Sequence, residues 1–180
     1  MTIFRELIQV SIGSRACLSR TPSEAEWGKL YAMAKKQSLV GVCFAGVQWL
    51  VSQQQDPPEM LYLTWMGMAA KIQQRNEVVN RQCVDLQKRL SADGFRSCIL
   101  KGQGVARIYP EHLHGLRQSG DIDIWIEGGR EKIINYAFSV APTNIYAEKD
   151  IPIKLFEDTS VEAHWIPVNW ISSPKNKLIQ

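Results

Sequence analysis

The sequence predicts an α+β fold: a helical region over residues 1–93, then a core of alternating strand and helix over 94–180. Three observations carry this. Apolar residues recur at helical spacing as far as Gly94, strand-like and helix-like periods alternate beyond it, and composition shifts at the same point.

The first stretch, MTIFRELIQV, holds Arg5 and Glu6 within an apolar helical period. Thr21, Pro22 and Glu24 supply a cap, a first-turn proline and a carboxylate ahead of Trp27, Leu30, Tyr31 and Ala34, so a helix is expected to start there. An apolar helix is expected over Val40 to Val51, ended by the polar QQQDPP segment with Pro57 and Pro58. Leu61, Trp65, Met68, Ile72, Val79, Cys83, Leu86 and Leu90 then form the stripe of a long amphipathic helix that stops at Asp93-Gly94. Core packing explains that stripe, because its repeat is not sustained past one helix as a coiled coil requires. Lys71, Arg75, Arg81, Lys88 and Arg89 are expected on its solvated face.

Past Gly94, Phe95 to Leu100 suits a short buried strand, and Lys101-Gly102-Gln103-Gly104 leads into a short helix ending near Tyr109. A loop follows Pro110. Asp121 to Ile126 alternates strictly, with Asp121 and Asp123 on one face and Ile122, Ile124 and Ile126 on the other. Gly128-Gly129 closes that strand, a helix is expected over Arg130 to Val140, and Ile151–Phe156 with Val161–Trp165 form a hairpin around Glu157-Asp158-Thr159.

Composition narrows the function. The 180 residues are 45% hydrophobic and carry a net charge of only +3 with scattered basic residues, so nothing calls for nucleic acid as a partner. Cys17, Cys43, Cys83 and Cys98 lie far apart with no zinc-ligand spacing and are expected to be buried, reduced thiols. Charges inside the N-terminal period and the lack of a small-residue cleavage site argue against a secretory signal. The most apolar run, Leu39 to Val51, is shorter than the about 20 residues of a membrane span. A cytoplasmic protein that does not cross a membrane is therefore expected. Trp49, Trp65, Trp125, Trp165 and Trp170 share no spacing and are assigned to packing rather than base stacking.

The chemistry concentrates on the acidic strand. Two carboxylates two residues apart share a face with bases about 6 to 7 Å apart. At an effective dielectric of about 20 they repel by roughly 2.5 kcal/mol, so a cation is expected between them. Oxygen donors of this kind suit Mg2+ or Mn2+, and a pair of such ions serves phosphoryl and nucleotidyl transfer. Glu162, alternating within Val161-Glu162-Ala163-His164-Trp165 on a neighbouring strand, is the candidate third carboxylate. His164 shares its face, where an ordinary hydrogen-bonded histidine is the simpler reading. Lys101, Gly102 and Gln103, at a strand-to-helix turn, have the form of a phosphate-binding turn, although glycine there also serves purely conformational needs. Arg117 is placed to reach phosphate or to pair with the acidic strand.

Leu100-Lys101-Gly102, Tyr109-Pro110, Arg117-x-x-Gly120-Asp121-Ile122-Asp123-Ile124 and Val161-Glu162-Ala163-His164-Trp165 together resemble the uncharacterised bacterial nucleotidyltransferase family of the DNA polymerase β-like superfamily. The resemblance spans about residues 95 to 166, and the helices before it match only loosely. It implies a small mixed-sheet core, metal ions held by Asp121, Asp123 and Glu162, and a nucleoside triphosphate such as ATP whose phosphates meet Gly102 and its neighbours. The implied reaction moves a nucleoside monophosphate to an acceptor hydroxyl on a small molecule, a protein or an RNA end. Gly102-Gln103 stands where the superfamily usually has glycine-serine or glycine-glycine. The chain also stops at Gln180, where the family usually continues into further helices, so part of the nucleotide or acceptor pocket is expected to be truncated.

Two other functions stay open on sequence grounds. A catalytically inactive nucleotidyltransferase fold that binds nucleotide or a protein fits the early stop. A DxD glycosyltransferase uses similar carboxylates but needs a larger nucleotide-binding region ahead of them, where this chain is helical.

Overall fold

The computed structural model describes residues 2–141 and 150–167. The chain divides into two compact units: residues 1–81 with 105–119, and residues 82–104 with 120–180.

The first unit is helical. Helices α1 (Ile3–Ser11), α2 (Glu24–Lys36) and α3 (Val40–Ser52) pack with the first part of α4 (Glu59–Ala92). Trp27, Trp65, Leu7 and Leu50 fill the centre of this core. Trp65, fully buried, donates its indole N–H to the Val40 carbonyl at 2.8 Å, which satisfies its one polar atom. The cap of α2 differs from the expected one. Ser23 is the N-cap and forms a capping box with Glu26, because this pair satisfies amide donors in both directions, leaving Thr21 outside the helix.

Helix α4 confirms a single long helix and corrects its stripe. The buried positions run Trp65, Ala69, Ile72, Asn76, Val79, Cys83, Leu86 and Leu90, while Met68 is 36% exposed. The observed 65–69–72–76–79 progression keeps the 3.6-residue period, whereas Met68 drifts off the apolar face. Asn76 occupies the gap because its amide donates to the carbonyls of Gly115 and Arg117, both at 2.7 Å, and its oxygen accepts from Ser119 Oγ at 2.6 Å. A short 3-10 turn, Glu111–Leu113, occupies the expected loop after Pro110.

The second unit holds a four-stranded mixed sheet in the order β1-β2-β4-β3, formed by β1 (Ser97–Ile99), β2 (Ile122–Ile126), β3 (Asp150–Ile153) and β4 (Val161–His164). Strand β1 is antiparallel to β2, β2 is parallel to β4, and β3 is antiparallel to β4. Helix α5 (Lys101–Ala106) follows β1, and α6 (Arg130–Val140) precedes β3 and sets Ile133 and Ala137 into the core. Ile122, Ile124, Ile126, Ile151, Ile153, Val161 and Ala163 are all at most 1% exposed, so the sheet's inner face is apolar throughout. The α+β class and the mixed sheet are as the sequence predicts. The hairpin's first strand is shorter than expected, and residues 154–160 form its connection.

The cysteines correct one expectation. All four are free, but only Cys43 and Cys83 are buried, while Cys17 and Cys98 are exposed. Cys98 alternates outward on a three-residue strand whose other positions are half-buried. Burial pushes the Cys43 thiol up to about 12 and that of Cys83 to about 11, which keeps both protonated.

Candidate metal centre

Period-2 alternation builds the site on two adjacent strands. In β2 the isoleucines face the core and Asp123 faces the other way; in β4 Val161 and Ala163 face the core while Glu162 and His164 do not. Parallel pairing then sets Asp123 directly opposite Glu162. The Leu100 amide donates to the Asp123 carbonyl at 2.8 Å, which anchors the end of β1 against the same residue.

Asp123, Glu162 and His164 each offer one donor atom, and these atoms all lie within 4.8 Å of one another. Asp123 is 6% exposed and His164 5%. Asp123 Oδ1 accepts from Lys101 Nζ at 2.6 Å and lies 2.9 Å from His164 Nε2. His164 Nε2 is 3.9 Å from Glu162 Oε2, and on its other side Nδ1 is 3.9 Å from Asp150 Oδ2.

The electrostatics follow from this crowding. Burial works to raise the Asp123 pKa, but hydrogen bonds from Lys101 and His164 outweigh it and hold the carboxyl below its ordinary value. Glu162 is raised, first by burial and then by the charges of Asp121, Asp123 and Asp150. The Lys101 ammonium is raised by its hydrogen bond to Asp123, with Glu162 and Asp121 adding attraction.

Asp121 is exposed one residue ahead of β2 and acts on this group through its field on Lys101 and Glu162. Lys101, at φ 33°, occupies the left-handed region, which costs about 1–2 kcal/mol for a residue with a Cβ. Gly102, at φ 28° and ψ −112°, breaks the regular geometry at the start of α5. A Cβ on Gly104 would sit 2.6 Å from the Ile99 carbonyl oxygen, so that glycine serves close strand-to-helix packing. Gln103 is buried. Arg117 lies in the helical unit, where its carbonyl accepts from Asn76.

The geometry thus joins Asp123, Glu162, Lys101 and His164, with Asp121 beside them. Two contributors were undervalued by the sequence. His164 could be found from its alternation with Glu162, whereas Asp150 enters only through the β3–β4 register, in which it pairs with His164.

A small mixed sheet that follows a helical region in the chain, with carboxylates opposed on adjoining strands, is consistent with a nucleotidyltransferase-type α+β protein. The model of the uncharacterised nucleotidyltransferase family matches residues 23–176, and the chain belongs to that family. The match begins in the helical region, well ahead of the residues 95–166 that carry the resemblance in sequence. No curated protein and no solved structure matches the chain. Among the described residues no helix is long and apolar enough to cross a membrane.

Proposed function

We propose that the protein is a metal-dependent nucleotidyltransferase that moves a nucleoside monophosphate from a triphosphate to an acceptor hydroxyl. The observation that carries this reading is the register of Asp123 with Glu162, which opposes two carboxylates on neighbouring strands with Asp121 one residue ahead of β2. The donor set fits a divalent cation: Asp123 is buried, Glu162 is raised first by burial and then by its acidic neighbours, and the lysine paired with Asp123 is largely exposed.

Asp121, Asp123 and Glu162 would hold the cation, which when bound supplies Lewis-acid stabilisation of charge on the phosphates. Lys101, whose side chain is 66% exposed, is free to leave Asp123 and meet the triphosphate. Gly102 and Gln103 complete the proposed nucleotide contacts within the sheet unit. The acceptor oxygen forms its bond to the α-phosphorus as the bond to pyrophosphate breaks, and the hydroxyl proton passes to a base or to solvent. Incubation with labelled triphosphates, Mg2+ and a panel of small-molecule, protein and RNA acceptors should label an acceptor with the native chain. Asp121→Ala and Asp123→Ala should label none, and equal labelling in all three would overturn the assignment.

The Lys101–Asp123 ion pair favours one second reading, a catalytically inactive member that binds nucleotide or protein. Calorimetry with Mg2+ and each triphosphate separates the two: binding without turnover supports the inactive form.

A further inference from the structure

Resting on the metal-binding reading above, we infer that His164 is a nitrogen donor to the same divalent ion as Asp123 and Glu162, giving a mixed nitrogen–oxygen site that selects Mn2+ over Mg2+. Three observations converge on this. An octahedral ion with bonds of about 2.1 Å sets neighbouring donors about 3 Å apart and opposite donors about 4.2 Å apart. His164 Nε2 lies 2.9 Å from Asp123 Oδ1 and 3.9 Å from Glu162 Oε2, within that span.

The imidazole is also held like a metal ligand. It is 5% exposed on a strand whose alternate residues are locked in the core, so its position is fixed by the sheet. Asp150 stands across the β3–β4 register and faces Nδ1 at 3.9 Å. A carboxylate on that side favours keeping a proton on Nδ1, so that a cation replacing the Nε2 proton now shared with Asp123 meets the Nε2 lone pair with Asp123 and Glu162 beside it. Finally, the donor chemistry discriminates between ions. Mg2+ takes oxygen donors and gives up water reluctantly, whereas an imidazole beside two carboxylates suits a first-row transition ion.

The test is pulsed electron paramagnetic resonance of the full chain loaded with Mn2+, supported by calorimetric titration with Mn2+ and Mg2+. The native protein should show 14N coupling to Mn2+ that changes on 15N-histidine labelling and persists when His112 and His114, the other two histidines, are replaced by Gln. His164→Gln should abolish the coupling, keep Mn2+ binding through the carboxylates, and shrink the Mn2+ over Mg2+ preference at least about tenfold, or about 1.4 kcal/mol. Asp150→Asn should weaken the preference less. Mn2+ bound without nitrogen coupling would overturn this inference and leave the carboxylate site standing, and so would coupling that survives His164→Gln. Failure to bind Mn2+ at all would overturn both. Because the native spectrum and the His112 and His114 variants decide the question alone, a His164→Gln chain that misfolds does not protect the inference.

Discussion

Among the described residues each unit buries one carboxylate, and the two are held in opposite ways. Glu6 in the helical unit, 5% exposed, accepts from the Ser19 amide at 2.7 Å and from Ser19 Oγ at 3.1 Å, with Arg15 at 3.4 Å. The backbone donor is the main cause of its lowered pKa. Asp123 in the sheet unit is as deeply buried, yet its partners are a lysine whose side chain is 66% exposed and a histidine, and Glu162 beside it feels the like charge of Asp123 and Asp121. A carboxylate satisfied by fixed backbone is a structural pin. On the proposed function, one satisfied by a removable cation, among other acids, would exchange that cation.

The largest effect expected from this contrast is on chemistry. Asp123→Asn should abolish Mn2+ binding and lower nucleotidyl transfer by on the order of 10³-fold, since a bound metal supplies several kcal/mol of charge stabilisation. Glu6→Gln should leave both unchanged while lowering Tm. If Glu6→Gln also removed metal binding, the distinction between pin and site would fail.

Stability should show the reverse ranking. Trp65→Ala removes a fully buried ring and should cost about 3–5 kcal/mol in urea unfolding, with metal affinity per folded molecule unchanged. Asn76→Ala should cost about 1–3 kcal/mol by orphaning the Gly115 and Arg117 carbonyls and Ser119 Oγ. A near-neutral Asn76→Ala would mean that water replaces the amide there.

What the sequence disclosed depends on whether a residue's role is set by its own neighbours or by distant ones. Helix α4 and strand β2 were legible because their periods are written in consecutive residues, and the same alternation singles out Asp121, Asp123 and Glu162 as candidates. Ser23 was passed over because Thr21-Pro22 offers a similar cap two residues earlier, and only the Glu26 contacts decide between them. Met68 was placed on the apolar stripe and Asn76 left off it because an apolar count passes over a polar residue that finds carbonyls on a segment about 40 positions away. The site was legible on each strand separately, but which residues meet is fixed by register, and so Asp150 and the centrality of His164 emerged only with the sheet.

The smallest effect, and the one that sharpens the contrast by sign, is the response to acid of a metal-free sample. Glu26 is lowered from 4.5 to about 2, first by the hydrogen bond from Arg20 and then by the Ser23 amide. A depressed carboxyl contributes stability above its unfolded pKa, so this contribution should be whole above pH 4.5 and lost as pH falls toward 2. Glu162 is raised, so its sign is opposite: the charged form is disfavoured in the fold, and protonation relieves that cost as pH falls through its folded pKa, above 4.5. Unfolding curves followed from pH 7 to 2 with chelator present should therefore lose a stabilising slope below pH 4.5 in Glu26→Gln. Glu162→Gln should instead lose a slope of opposite sign at higher pH. Equal slopes in the two variants would mean that the acids of the sheet unit are as well satisfied as the cap of α2, and the case for an exchangeable cation beside Asp123 would lose its electrostatic ground.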